Sequence, residues 1–218
     1  FSKPLHFSVA AVDGKTYRVY TVKLNVHQME GDSLYWNCSD SVVAGLEKMT
    51  EMKSVALNGK LLVLGRTEAG VDLLVRSGLG ESGSWEQHST ALPADVDLPT
   101  LRMNRNRLYL TSKQGQLYTS EDGLAWETLG TPQEGLSLVA VTEQFYYALM
   151  NGKLYRSADA AEWLEEGLDE DYSYLPQCNV LSVDYVQGNG NKRLYMAGAS
   201  DETETAEGLA WSKMWRSD

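Results

Sequence analysis

The chain has 218 residues, 43% of them hydrophobic, and a formal net charge of -11. That length and apolar content can fill a globular core, which argues against a disordered chain. The acidic balance argues against nucleic-acid binding, because contacts to the phosphate backbone need clustered lysine and arginine. The longest apolar runs fall well short of the ~20 residues of a membrane-spanning helix, so the sequence predicts no transmembrane segment in this chain.

The first predicted element is a β-hairpin. Residues alternate with the period of a β-strand from Leu5 to Val12 and from Tyr17 to Val26, and Asp13-Gly14 between them is typical of a tight turn. An isolated hairpin is only marginally stable in water. We therefore expect residues 1–28 to be the last two strands of a β-sandwich domain whose earlier strands are absent from this chain.

A repeat of 37 residues dominates the remaining chain, residues 29–218. The segment GQLYTSEDGLAW, from Gly115 to Trp126, returns as GKLYRSADAAEW from Gly152 to Trp163. Such self-similarity indicates that one supersecondary unit is repeated along the chain and that neighbouring copies stack on one another. Because each unit holds about four short strands, the sequence predicts an all-β fold, a β-propeller of four-stranded blades.

Four such units can be placed along the chain, over about 54–92, 100–129, 137–168 and from Val180 onward. The last unit lacks an outer strand. Either Ser33–Asn37 supplies this strand and closes a four-bladed ring, or the units are part of a larger ring. We favour a propeller truncated at its C-terminal end, because both ends of the chain cut across predicted elements.

The register of the last unit has two alternatives. In the first, Met214–Ser217 aligns with Leu154–Ser157 and forms the third strand of its unit. In the second, Gly208–Trp211 aligns with Gly123–Trp126, and the residues after Trp211 then form the outer strand of the unit.

A serine and an aspartate recur at the turn before the outer strand of two units. The repeated residues are Ser120, Asp122, Gly123 and Trp126 in the second unit and Ser157, Asp159 and Trp163 in the third. A hydroxyl and a carboxylate at a turn can bind the backbone of that turn, and the tryptophan can cover the junction with the next blade. Ala160 replaces the glycine in the third unit, so its turn either changes type or bears a Cβ penalty of ~1 kcal/mol or more.

These residues resemble the Asp-box repeats of sialidases, sortilin-like receptors and many exported propellers. Together with the preceding hairpin, the layout resembles an uncharacterised family of exported envelope proteins from Gram-negative gut bacteria, which join an immunoglobulin-like domain to an Asp-box propeller. That family has no assigned activity. The resemblance implies an extracytoplasmic location and an immunoglobulin-like origin for the hairpin at residues 1–28.

The residues of a sialidase-like active site cannot be identified in this chain. Such an enzyme needs three arginines that clamp a carboxylate, a tyrosine nucleophile activated by glutamate, and an aspartic acid. The arginines, which include Arg66, Arg76, Arg102 and Arg156, show no signature of that clamp, and His6, His27 and His88 are scattered. In Asp-box enzymes the boxes lie away from the active site. The sequence therefore predicts no catalytic residue, no cofactor and no metal site.

Two tyrosines are the only ligand-binding candidates in the sequence. Tyr172 and Tyr174 follow the acidic run Asp169–Asp171 and could present aromatic rings to a sugar, while the acidic run itself is interpreted as a solvated loop rather than a calcium site. A disulfide between Cys38 and Cys178 is left open, because connectivity cannot be read from sequence.

The leading functional hypothesis is a noncatalytic binding module at the bacterial cell envelope. Its ligand would be a glycan or an envelope protein, held where loops converge on one mouth of the propeller. One alternative is a glycan-cleaving enzyme with a pair of carboxylates ~5 to 10 Å apart across the central channel. Another is a scaffold that only spaces its partners.

Overall fold

The structure is a computed structural model that describes residues 5–10, 12, 15–22, 43–77, 84–168, 175–186, 192–201 and 212–217. Contacts divide the chain into two units, Phe1–Ser41 and Val42–Asp218. The described part of the chain contains no helix with the length and hydrophobicity needed to span a bilayer.

The first unit contains the predicted hairpin. Strand β1 (Leu5–Ala10) pairs antiparallel with β2 (Tyr17–Val22), in a register that joins Leu5 to Val22 and Ala10 to Tyr17. The prediction of two paired strands is confirmed. Its turn at Asp13-Gly14 and its extension over residues 23–26 lie outside the described residues and stay predictions.

The described strands of the second unit form four antiparallel sheets. In the first three sheets, four strands pair in chain order, as the repeat predicts. The first sheet contains β3 (Glu51–Leu57), β4 (Lys60–Thr67), β5 (Gly70–Ser77) and β6 (Ser84–Ser89). The second contains β7 (Val96–Asn104), β8 (Arg107–Ser112), β9 (Leu117–Ser120) and β10 (Glu127–Leu129). The third contains β11 (Ser137–Val141), β12 (Tyr146–Met150), β13 (Lys153–Ser157) and β14 (Leu164–Glu165).

The fourth sheet has three strands among the described residues: β15 (Cys178–Val186), β16 (Lys192–Ala199) and β17 (Lys213–Arg216). Strand β17 pairs directly with β16, with Ala197 opposite Met214. This pairing puts β17 in the position of a third strand, as the first of the two sequence registers predicts. The segment Ser33–Asn37, which was the candidate for a fourth strand, lies outside the described residues.

Tight turns set the register of the first two strands in the first sheet and of the middle strands in the third. Asn58-Gly59 joins β3 to β4, and Asn151-Gly152 joins β12 to β13, all four residues with positive φ. Asparagine and glycine tolerate this left-handed backbone, which matches the twist of a two-residue hairpin.

The sheets pack face to face around their first strands. Strand β7 contacts β3, β11 and β15, so the first strands of all four sheets lie together. Between the first and second sheets, Leu62 and Leu73 pack with Val96 and Leu108, and all four side chains are buried. Complete burial of one such side chain contributes about 1.5–3 kcal/mol. Four-stranded antiparallel sheets whose first strands converge are the blades of a β-propeller.

One position of the repeat shows how each blade covers the one before it. Leu117 on β9 and Leu154 on β13 are 2% and 0% exposed, because the following sheet packs against them. The equivalent residue on β17, Met214, is 72% exposed. Among the described residues, this face of the fourth sheet therefore has no following sheet packed on it.

A bulge interrupts the pairing of β7 with β8. Asp97 pairs with Thr111, but Arg102 pairs with Tyr109, so the four residues between Asp97 and Arg102 leave the regular register. Thr100 holds this bulge: its Oγ1 donates to the Asp97 carbonyl oxygen over 2.6 Å and accepts from the Thr111 amide over 2.9 Å. The bulge positions the side chains of Asp97 and Arg102 among the first strands.

Candidate functional site

The turn between β9 and β10 is held by Ser120 and Asp122. Ser120 Oγ donates to Asp122 Oδ1 over 3.1 Å and accepts from the Gly123 amide over 2.8 Å. The same Oδ1 accepts from the amides of Leu124 and Ala125 at 2.8 and 3.0 Å. Partial burial raises the pKa of Asp122, but the hydrogen bonds from these amides and from Ser120 outweigh it, so the pKa lies below its ordinary value.

The turn between β13 and β14 repeats the same bonds. Ser157 Oγ donates to Asp159 Oδ1 over 3.0 Å and accepts from the Ala160 amide over 2.9 Å. Asp159 Oδ1 accepts from the amides of Ala161 and Glu162 at 2.9 and 3.1 Å, and these bonds lower its pKa. Ala160 keeps a left-handed backbone with φ of 62°, close to the 83° of Gly123. Of the two outcomes that the sequence left open, the turn therefore keeps its conformation.

The two repeated tryptophans pack between sheets. Trp126 lies against the cluster that joins the first and second sheets, and its Nε1 donates to the Gly123 carbonyl oxygen over 2.8 Å. Trp163 lies against the cluster that joins the second and third sheets, and its buried Nε1 has no hydrogen-bond partner in the described part of the chain. Their rings fill sheet interfaces.

Arg102 joins three sheets through its guanidinium group. Its Nε donates to the Val139 carbonyl oxygen on β11 over 2.7 Å, and one Nη donates to Val180 on β15 over 2.7 Å. The other Nη donates to the carbonyl oxygens of Pro99 and Leu101, both at 2.8 Å. Burial lowers the pKa of Arg102 to about 10, so the group stays charged at neutral pH.

Two cavities lie on the two sides of Arg102, which lines both. The first, of about 430 Å³, is lined by the earlier residues of β7, β11 and β15, and we name it the start-side cavity. The second, of about 390 Å³, is lined by the later residues of the same strands, and we name it the end-side cavity. Both volumes fall in the range of small-molecule sites.

The start-side cavity has hydrogen-bonding groups of several kinds on its wall. These are the carboxylate of Asp97, the hydroxyls of Thr100 and Ser137, and the amides of Gln177 and Asn179. Pro99, Leu138, Val139 and Val180 supply apolar surface between them. A few polar groups on an apolar wall are typical of a site that orients a small polar ligand.

Asp97 is half-buried, and no described group donates a hydrogen bond to its carboxylate. Burial raises its pKa, and the charge of Glu51 raises it further, while Lys113, Arg102 and Arg66 act in the opposite direction. Glu51 is itself engaged, because its Oε2 accepts from Arg66 Nε over 3.0 Å. A titratable group perturbed by burial on the wall of a cavity is a candidate for function.

The end-side cavity has polar groups that already have partners. Asn104 Nδ2 donates to the Val141 carbonyl oxygen over 2.9 Å, and Ser182 Oγ donates to Val139 over 2.6 Å. Arg105 and Glu143 form an exposed ion pair with 3.3 Å between nitrogen and oxygen. The start-side cavity differs in that no described group donates to the half-buried carboxylate of Asp97 on its wall.

Lys53 on β3 contributes a further positive charge near the first strands. Its pKa is lowered, first by burial and then by the charge of Arg102. The described residues contain no group of three histidine, cysteine, aspartate or glutamate side chains that could hold a metal ion.

The site differs from the one that the sequence analysis considered. Tyr172, Tyr174 and Cys38 lie outside the described residues, so the aromatic site and the disulfide stay predictions, while Cys178 lines the start-side cavity. None of the seven repeated turn residues lines either cavity.

Sequence reasoning missed Asp97 and the role of Arg102. The one available signal was the Pro99-Thr100 pair, which interrupts the alternation of an otherwise regular strand.

Residues 30–217 match the family model described as the DUF6242 beta propeller domain. No curated protein matches the chain.

Proposed function

Since the chain belongs to the DUF6242 beta propeller domain family, we propose that it is a noncatalytic binding module of the bacterial cell envelope, with a glycan as its ligand. The proposed site lies among the first strands of the blades, at the start-side cavity. The fold itself assigns no activity, because propellers serve many unrelated functions. The proposal therefore depends on the chemistry of the cavity.

The observation that carries the proposal is a cavity of about 430 Å³ lined by hydroxyl, amide and carboxylate groups. A volume of this size suits one or two sugar rings better than a protein surface, which usually binds over a wide and flat area. The Asp97 carboxylate and the Gln177 Oε1 oxygen can accept hydrogen bonds, and the Ser137 hydroxyl can donate or accept one, as recognition of sugar hydroxyls requires.

A binding role is favoured over catalysis because Arg102 uses its donors within the fold. The guanidinium donates to four backbone carbonyl oxygens, so it is not available to clamp a substrate carboxylate. Asp97 is the one carboxylate on the wall of the start-side cavity among the described residues. Glycoside hydrolysis uses a pair of carboxyl groups that flank the scissile bond.

The alternative is a glycan-cleaving enzyme, which one observation favours. Asp97 has a raised pKa, as a general acid needs, and Glu51 is close enough to contribute to that rise. The ion pair between Glu51 and Arg66 counts against this alternative, because it occupies the second carboxylate.

We further propose that the two repeated turns are Asp boxes and that residues 1–28 derive from an immunoglobulin-like domain. The first proposal is supported by the identical hydrogen bonds at Ser120 and Ser157, and the second by the pairing of β1 with β2. Both features resemble exported propellers, which supports the envelope location. Fractionation of the native bacterium would test the location: recovery in the cytoplasm would contradict it.

The binding proposal can be tested on an array of host and dietary polysaccharides, with the purified chain applied with and without calcium. We expect reproducible binding to one class of glycan. Each bound glycan is then incubated with the chain, and the products are separated by chromatography. Release of shorter oligosaccharides would favour the enzyme. Absence of binding to every polysaccharide on the array would favour a protein partner or a scaffold.

A further inference from the structure

The start-side cavity contains a strong hydrogen-bond acceptor without a donor. The Asp97 carboxylate lies on its wall, half-buried, and no described residue donates to it. A carboxylate that is partly removed from water and left without donors raises the free energy of the empty site. A ligand that brings donors relieves this cost, so the carboxylate favours a ligand that is rich in hydroxyl groups.

The one cation on the described wall of the start-side cavity uses most of its hydrogen-bond donors within the fold. Arg102 is the one cation on the described wall, and its nitrogens donate to the carbonyl oxygens of Val139, Val180, Pro99 and Leu101. Apart from the Asp97 carboxylate, the other groups on the described wall are neutral. A ligand carboxylate or sulfate placed here would lie near the Asp97 carboxylate, and Arg102, with four of its five N–H donors already used, could not form the paired hydrogen bonds that would hold it.

We propose that the start-side cavity binds an uncharged sugar residue, whose neighbouring hydroxyl groups donate to the two oxygens of the Asp97 carboxylate, and that it rejects acidic sugars. The inference deepens the proposed function and depends on it. The Ser137 hydroxyl and the Gln177 Oε1 oxygen bond to further hydroxyls of the same sugar, while Gln177 Nε2 donates to the carbonyl oxygens of Gly152 and Leu175. This preference is opposite to that of a site built to bind sialic acid, where arginines clamp a carboxylate.

The test uses the full chain and calorimetric titration with neutral trisaccharides of glucose, galactose and mannose, each paired with its C6-oxidised uronate form. We expect at least one neutral trisaccharide to bind and its uronate form to bind at least ~10-fold more weakly at pH 7. Asp97→Asn should weaken neutral binding by ~10-fold or more, since a hydrogen bond to a charged acceptor is lost. Asp72→Asn, on β5 and outside both cavities, is the matched control and should bind like the wild type.

A second measurement covers the case in which Asp97→Asn does not fold. The carboxyl carbon signal of Asp97 in the wild-type chain is followed by NMR as a neutral trisaccharide is added. We expect this signal to shift and its titration to move to lower pH, because donors stabilise the charged form.

Equal binding of neutral and uronate forms would overturn the inference, as would unchanged binding by Asp97→Asn or an unmoved carboxyl signal. Failure of every neutral trisaccharide to bind would also overturn it. The proposed glycan-binding function would still hold after any of these results if the polysaccharide array gave reproducible binding. Failure of the inference can therefore be distinguished from failure of the proposed function.

Discussion

A guanidinium nitrogen of Arg102 donates a hydrogen bond of 2.7 Å to the carbonyl oxygen of Val180, 78 residues further along the chain. The same group donates to Val139 on the sheet between them. One side chain therefore fixes the distances between the first strands of three sheets, and these strands form the walls of both cavities. The charge of Arg102 serves the shape of the site rather than direct contact with an anion.

Replacement of Arg102 tests this structural role. Arg102→Met should lower the free energy of unfolding by about 3 kcal/mol or more, because several buried carbonyl oxygens lose their donors. Urea unfolding followed by tryptophan fluorescence measures the change. Arg105→Met is the control, since its exposed ion pair with Glu143 contributes about 1 kcal/mol or less. Equal losses of unfolding free energy for the two substitutions would contradict the structural role of Arg102.

The turn carboxylates should make stability depend on pH at the acidic end. The pKa of Asp122 lies below its ordinary value of 3.8, so its charged form stabilises the fold above that pH and the contribution disappears as pH falls through the lowered pKa. Asp122→Asn should reduce the free energy of unfolding by about 0.5–1 kcal/mol at pH 7, as for a lost helix cap at an exposed site. Unfolding in urea at pH 7 and near pH 2 measures both values.

The stabilities of the wild type and Asp122→Asn should converge as pH falls through the lowered pKa, because the wild-type carboxylate becomes protonated there. Glu127→Gln, an exposed change on the same sheet, serves as the control. A difference between wild type and Asp122→Asn that persists unchanged at low pH would show that the charge is not responsible.

The glycine position of the repeated turn can be tested by exchanging glycine and alanine in each of the two turns. A Cβ at Gly123 would lie 3.1 Å from Leu73 Cδ2 and 3.2 Å from Leu62 Cδ2, at a φ of 83°. Gly123→Ala should therefore destabilise the chain by about 1–3 kcal/mol. The reciprocal change, Ala160→Gly, relieves a similar backbone but removes a buried methyl group, so we expect a change within about 1 kcal/mol. Thermal unfolding of both variants measures the two changes in stability. A Gly123→Ala protein as stable as the wild type would contradict the prediction.

The stacking of the sheets predicts that truncation to alanine lowers the free energy of unfolding by different amounts at equivalent positions of the repeat. Leu154→Ala should cost about 2–5 kcal/mol, because this side chain is fully buried against the fourth sheet. Met214→Ala, at the equivalent position on β17, should cost less than about 1 kcal/mol, since Met214 is 72% exposed. Urea midpoints of both variants supply the comparison. A large loss for Met214→Ala would mean that another part of the chain covers this face.

Local patterns in the sequence predicted the sheets well. The repeat from Gly115 to Trp126 specifies strands and a turn within a few residues of one another, and such short-range signals can be read directly. The position of β17 followed from alignment of Met214 with Leu154, although the sequence alone left a second register open. Strand starts were less certain: the first unit was expected from about Ser54, whereas β3 begins at Glu51.

The site could not be predicted in the same way. Arg102, Val139 and Val180 come from three different sheets, and no spacing in the sequence reveals that they meet. Asp97 is distinguished by burial and by the absence of donors, which are properties of the folded chain. The sequence instead drew attention to Tyr172 and Tyr174, because aromatic residues beside an acidic run stand out by composition alone.

The most direct test of the account is a crystal structure of the chain with an oligosaccharide selected on the polysaccharide array. We predict that an intact sugar occupies the start-side cavity, between β7, β11 and β15 and within hydrogen-bond distance of Asp97. A sugar bound on the outer strands, or a cleaved product among the first strands, would contradict the account.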